Sequence, residues 1–142
     1  MNFLIVDDES LAISRLTRLL TSLGHISITA ASSGAEALEL ASQQKFDIAL
    51  LDISMSQMDG IELGYALRYQ HEDLAIIYQT AYDHHALKAF DVGAVDYLLK
   101  PYTAESLERA ISRVAINNTQ KELRLISKAG ENHYLLSPQD LY

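Results

Sequence analysis

Short apolar runs that each stop at a polar residue constrain this chain more than any other feature. Phe3-Leu4-Ile5-Val6 runs into Asp7-Asp8, Ile48-Ala49-Leu50-Leu51 into Asp52, Ala75-Ile76-Ile77-Tyr78 toward Thr80, and Val95-Asp96-Tyr97-Leu98-Leu99 into Lys100. Continuous apolar runs of this length suit strands buried on both faces, the environment of a parallel sheet covered by helices. In such open α/β sheets, ligands gather outside the carboxyl ends of the strands. Three carboxylates, a hydroxyl and an ammonium, far apart in sequence, are thereby expected to meet in one acidic crevice.

The segments between the runs have helical period. Residues 9–22 place Leu11, Leu16, Leu19 and Leu20 on a core stripe, with Gly24 just beyond. Ile26-Ser27-Ile28-Thr29-Ala30 alternates like a second strand. Ser33 and Glu36 have capping-box spacing before a helix with Ala37, Leu38 and Leu40. The third strand is expected over Phe46–Leu51, followed by a loop with Ser54, Ser56, Asp59 and Gly60 and a helix around Ile61, Leu63, Ala66 and Leu67. A fourth helix is expected through Ala86, Leu87, Ala89 and Phe90, and a fifth over Thr103–Ile116 with Leu107, Ala110, Ile111 and Val114 inward. Five βα units with right-handed crossovers place helices on both faces of one sheet, a doubly wound α/β fold over residues 1–116.

Residues 117–142 break this rhythm. Asn117-Asn118-Thr119-Gln120-Lys121 reads as a linker, and Leu123–Ser127 with His133–Leu136 as a short β-hairpin. The formal charge of −8 is not shared by this tail: residues 1–116 hold 16 Asp+Glu against 8 Lys+Arg, residues 117–142 hold 3 against 3. An acidic first part is a poor electrostatic start for binding nucleic acid. No apolar stretch approaches the ~20 residues of a membrane helix, and the first apolar run meets Asp7 too soon for a secretory signal. The absence of cysteine removes disulfides and thiolate metal sites and agrees with a cytoplasmic location.

The acidic crevice suggests its own chemistry. Mg²⁺ takes oxygen ligands, commonly one or two carboxylates with waters and phosphate oxygens, so Asp8 and Asp52 are candidate direct ligands and Asp7 a direct or water-mediated one. Taken alone, Asp7-Asp8 would equally fit a solvated helix N-terminus. Asp52 is the candidate nucleophile, since a carboxylate can attack a phosphoryl group to give an aspartyl phosphate. Lys100 can pair with Asp52 and afterwards hold a phosphoryl oxygen as a compact charge, with Thr80 donating its hydroxyl to another. His84-His85 are adjacent, and on a helix would diverge too far to share a metal.

Ile5-Val6-Asp7-Asp8-Glu9, Leu51-Asp52-Ile53-Ser54-Met55, Met58-Asp59-Gly60, Thr80-Ala81 and Asp96-Tyr97-Leu98-Leu99-Lys100-Pro101 together resemble the receiver domains of two-component response regulators. That resemblance implies a flavodoxin-like five-stranded parallel sheet in the strand order 2-1-3-4-5, with Asp52 accepting phosphate from a sensor histidine kinase and Mg²⁺ held by Asp8, Asp52 and the Ser54 backbone carbonyl, Asp7 helping through water. It further implies that Thr80 and Tyr97 form a switch pair and that the Lys100–Pro101 peptide is cis. One departure is visible: receivers commonly carry Pro where this chain has Ser56. Residues 80–97, from Thr80-Ala81-Tyr82 to Asp96-Tyr97, are similar to receivers of the LytR/AlgR type, and the stretch from Leu123 to Tyr142 resembles the opening strands of their LytTR DNA-binding domain. DNA is accordingly expected to be bound only through the remainder of such a domain. The face formed by the fourth helix, fifth strand and fifth helix, with Lys88, Asp91, Asp96 and Arg113, is the candidate surface for a homodimer.

Two other readings compete. A Mg²⁺-dependent phosphohydrolase with an aspartyl-phosphate intermediate needs a nearby general acid or base, and position 54 is Ser rather than a carboxylate. A flavodoxin-like nucleotide or flavin module needs a phosphate loop after the first strand, where Asp8-Glu9-Ser10 stands instead.

Overall fold

The computed structural model describes residues 1–81, 89 and 91–114. Strands β1 (Phe3–Val6), β2 (Ile28–Ala31), β3 (Ile48–Asp52), β4 (Ala75–Thr80) and β5 (Asp96–Leu99) form one parallel sheet in the order β2-β1-β3-β4-β5. Helices α1 (Ser10–Ser22), α2 (Gly34–Gln43) and α3 (Gly60–Gln70) alternate with the strands, and residues 104–114 are helical after β5. This is the five-stranded doubly wound architecture expected from the sequence.

The three interior strands β1, β3 and β4 are buried at every position, which is why they read as unbroken apolar runs. Side chains alternate between faces. Leu4, Val6, Ala49, Leu51 and Ile76 pack with Ala37 and Ala41 of α2 and Ile61, Leu63 and Leu67 of α3. Phe3, Ile5, Ile48, Leu50 and Ile77 pack on the other side with Leu16 and Leu20 of α1 and with Leu107, Ala110, Ile111 and Val114. All four inward positions expected on the last of these helices are buried.

Helix ends follow local chemistry. Asp59 caps α3 by accepting the Glu62 N–H at 2.8 Å, and Ser33 caps α2 by accepting that of Glu36 at 3.2 Å. The return bond of the expected capping box is displaced by one residue, since the Glu36 carboxylate accepts from the Ser32 N–H rather than from Ser33. At the end of α1, Gly24 and His25 donate to the Thr21 and Leu20 carbonyls, a Schellman arrangement that stops the helix where expected.

Three expectations fail. The fifth run, read with the others as a strand buried on both faces, is the edge strand β5, where Asp96 and Tyr97 are only partly buried and Leu99 is 47% exposed. Leu11 is 83% exposed, because the α1 stripe facing the sheet runs through Ile13, Leu16 and Leu20, and Leu11 lies off it. Ile26 is 91% exposed and precedes β2, which begins only at Ile28, where pairing with Phe3 starts. The body of the fourth expected helix, including Lys88, and the hairpin over residues 123–136 lie outside the described residues. No described helix is long and apolar enough to cross a membrane.

Candidate functional site

Register brings the site together. Val6 pairs with Leu51, so Asp7, one residue past β1, comes beside Asp52 at the end of β3. Asp52 pairs with Gln79 and Thr80 with Leu99, which carries Lys100 to the same edge. The order of the strands reverses between β1 and β3, so the crevice there opens at the carboxyl edge of the sheet.

Asp7 and Asp52 are both buried, whereas Asp8 is exposed. Carboxylate oxygens of the three lie within 4.8 Å of one another. Lys100 spans the two buried acids, its Nζ 3.1 Å from Asp7 Oδ2 and 3.5 Å from Asp52 Oδ1. The expected pairing of Lys100 with Asp52 is therefore present, but the shorter contact is to Asp7. Burial lifts the Asp52 carboxyl to about 6 and the neighbouring Asp7 charge adds to the rise, while Lys100 and the Ser54 N–H pull downward. Burial by itself would depress the Lys100 ammonium, yet Asp52 and Asp7 outweigh it and hold that group above its ordinary value.

Each carboxylate also accepts a main-chain N–H. Glu9 donates to Asp7 Oδ1 at 3.0 Å, Ser54 to Asp52, and Ser56 to Asp8 Oδ2 at 3.2 Å. Three hard oxygen donors converging at a solvent-open edge, two of them buried, have the donor chemistry for a divalent cation such as Mg²⁺. The close approach of α3 to Asp52 requires Gly60: a Cβ there would stand 2.3 Å from the Asp52 carbonyl oxygen.

Thr80 is fully buried at the end of β4, and its carbonyl accepts the Lys100 N–H at 2.7 Å. Tyr97 is half-buried on β5 against the α2–α3 side of the core. The Lys100–Pro101 peptide is cis, as the resemblance implied. On the expected dimer face, Asp91 is exposed, and Asp96 and Arg113 are ion-paired with each other within the chain.

Sequence reasoning missed one pair. Gln79, 2% exposed, shares the sheet face of Asp52 and accepts a hydrogen bond from Tyr102 Oη at 2.7 Å. Burial pushes the Tyr102 phenol up to about 12, with Arg15 opposing and Asp7 and Asp52 adding to the rise. The two line a cavity of about 160 Å³ with Glu9, Arg15 and Lys100. The available signal was a polar residue inside the β4 apolar run, at the same pleat parity as Ile77.

Comparison with known proteins agrees with this geometry. Residues 3–112 match the family described as the response regulator receiver domain. The chain is 40% identical over 115 residues to the transcriptional regulatory protein LytR of Staphylococcus aureus (strain N315), an alignment covering 80% of this chain and 47% of LytR. It is 44% identical over 120 residues to the positive alginate biosynthesis regulatory protein of Pseudomonas aeruginosa, covering 83% and 48%. Against the sensory transduction protein LytT of Enterococcus faecalis it is 36% identical over 154 aligned positions, covering 100% of this chain and 64% of LytT. The chain thus spans about half the length of the first two relatives. Among solved structures, the response regulator TrrA of Thermotoga maritima, in complex with Mg²⁺–BeF, superposes with a TM-score of 0.73 at 30% identity, covering 80% of this chain and 99% of TrrA.

Proposed function

Given that the chain belongs to the response regulator receiver domain family, we propose that it is the phosphorylation-activated switch of a two-component system, with Asp52 as the phosphoacceptor. The observation that carries this reading is the surrounding of Asp52: a buried carboxylate at a strand end, 3.5 Å from Lys100 and within 4.8 Å of the Asp7 and Asp8 carboxylates. An Asp52 oxygen attacks the phosphorus of a phosphohistidine on a sensor histidine kinase. The new O–P bond forms as the P–N bond breaks, and the imidazole leaves.

Asp7, Asp8, Asp52 and the Ser54 carbonyl would hold Mg²⁺, which when bound neutralises charge on the phosphoryl oxygens. Lys100 binds one of those oxygens and Thr80 donates its hydroxyl to another. As Thr80 is drawn toward the phosphoryl group, Tyr97 turns inward and the surface around β5 changes, a local charge event biasing a two-state element. Opening of the Asp96–Arg113 pair would free both charges, with Lys88 and Asp91, for contact with a second copy. Residues 1–116 are the receiver and 117–142 the linker and start of a LytTR-like output domain. In this reading DNA is contacted through the longer parent protein, and transcription in the cytoplasm is the output. The phosphohydrolase alternative is not favoured: the family match is to switches, and Ser54 offers no acid or base beside Asp52.

Incubation with a small-molecule phosphodonor and Mg²⁺ should add one phosphoryl group by intact mass, and Asp52→Asn should abolish the addition. Equal labelling of Asp52→Asn would place the acceptor elsewhere.

A further inference from the structure

The three carboxylates are fixed in two different ways. Asp7 and Asp52 are buried, share the Lys100 ammonium, and each accepts the N–H of the residue two positions on, Glu9 and Ser54. That i to i+2 geometry is local and any residue other than proline supplies it. Asp8 is exposed, and among the described residues it has no ion pair. Its hydrogen bond comes from the Ser56 N–H, 48 residues away, across the mouth of the crevice from the loop between β3 and α3.

Building on the metal-site reading above, we propose that the main-chain N–H of Ser56 is the positioning group for Asp8 and thereby sets the affinity of the site for Mg²⁺. An exposed carboxylate without this bond samples several rotamers, and a cation must then order it at a cost in side-chain entropy. With Oδ2 engaged by Ser56, Asp8 stays within reach of Asp7 and Asp52 before the ion arrives. A carboxylate accepting a backbone N–H is a charge-assisted bond, of the stronger class. The donor is the backbone alone: the Ser56 hydroxyl takes no part in it. Proline is the one residue that cannot supply this donor, so position 56 divides chains of this architecture into those that tether this carboxylate from the facing loop and those that do not.

The test compares Ser56→Ala, which keeps the N–H, with Ser56→Pro, which removes it. Calorimetric titration with MgCl₂ should give wild-type affinity for Ser56→Ala and affinity about tenfold weaker for Ser56→Pro. Amide hydrogen exchange of the metal-free wild type supplies a readout independent of any variant: the Ser56 amide should exchange more slowly than that of its exposed neighbour Gln57, and Asp8→Ala should remove the difference. Should Ser56→Pro fail to fold, the exchange comparison decides alone. Affinities of Ser56→Pro and Ser56→Ala within twofold of each other, or a Ser56 amide as labile as Gln57, would overturn the proposal while leaving the metal site intact. Absence of Mg²⁺ binding in the wild type would overturn the metal reading and this inference together.

Discussion

Strands β3 and β4 lie side by side, are buried at every position, and handle burial differently. β3 is apolar through Leu51 and ends in Asp52, whose carboxylate is met by Lys100 and the Ser54 N–H. β4 ends in three consecutive polar side chains, Tyr78, Gln79 and Thr80. Among the described residues, neither the Tyr78 hydroxyl nor the Gln79 amide nitrogen has a hydrogen-bond partner. A buried polar group left unpaired costs about 1–3 kcal/mol, so β4 holds its place less favourably than β3. The strand carrying the proposed acceptor is the satisfied one, and the strand carrying the proposed mobile hydroxyl of Thr80 is the one whose rearrangement forfeits least.

Two glycines of α3, one turn apart, let this contrast be broken experimentally. Gly60 faces the β3 end, with the Asp52 backbone where a Cβ would go; at Gly64 a Cβ would stand 1.8 Å from the Tyr78 hydroxyl. Gly60→Ala should cost about 3 kcal/mol or more, since backbone must move, and should also weaken Mg²⁺ binding by displacing Asp52. Gly64→Ala should cost a similar amount but spare the metal site. Adding Tyr78→Phe should recover a substantial part of the Gly64→Ala loss and none of the Gly60→Ala loss. Urea denaturation of the two single and two double mutants measures this, and equal rescue at both positions would erase the distinction between the strands.

The next effect is pH dependence on the β3 side. The Asp52 carboxyl is raised from 3.8 unfolded to about 6 folded, so between those values the folded state binds the extra proton. Its stabilising contribution is full below pH 3.8 and is lost as pH rises through 6. The difference amounts to about 3 kcal/mol at most. In metal-free buffer, Asp52→Asn should lack this slope, and its stability advantage over wild type should grow by that order from pH 4 to pH 7. Mg²⁺ should close the gap by stabilising the wild type through linkage. A pH-independent difference between the two proteins would mean that Asp52 titrates normally.

The parts of this contrast were unequally legible in the sequence. Interior strands announce themselves because burial on both faces demands an unbroken apolar run, and the residue after each run then marks the carboxyl edge; Asp7 and Asp52 could be found that way, whereas Lys100 follows the partly exposed edge strand β5 and was legible through its Lys100-Pro101 motif. Leu11 and Ile26 were misread because periodicity identifies an apolar residue without telling where packing begins. The Gln79–Tyr102 bond depends on which pleat face Gln79 takes and on where the segment after Pro101 returns, neither of which is written in local composition. Ser56 was visible as a departure from the family, but its hydrogen bond belongs to the backbone, which is the same for every residue but proline.

A smaller effect separates the two polar residues of β4 that face opposite sides of the sheet. Tyr102 donates to Gln79, so Tyr102→Phe would leave both ends of a buried amide unpaired among the described residues. The expected loss is about 1–2 kcal/mol. Thermal unfolding measures it, and a Tyr102→Phe variant as stable as wild type would show that Gln79 finds another partner.

Tyr78→Phe should have the smallest effect and the opposite sign. The ring is fully buried in the core cluster that holds Ile61, Leu63, Leu67 and Val92, so its apolar area survives the substitution; only the hydroxyl leaves. Burial raises the phenol above its usual range, so it is neutral near pH 7 and no charge is lost with it. What remains is the desolvation of an oxygen without a partner among the described residues, offset by the small void that its removal opens. Relief of the first exceeds the second for a single atom, and Tyr78→Phe should be more stable than wild type by about 1 kcal/mol or slightly less. If the β4 side is held loosely because of its unpaired groups, the same variant should also resist the switch, showing a smaller change around Tyr97 on phosphorylation. Loss of stability in Tyr78→Phe would mean that the hydroxyl is bonded after all, and the contrast between β3 and β4 would then rest on Gln79 alone.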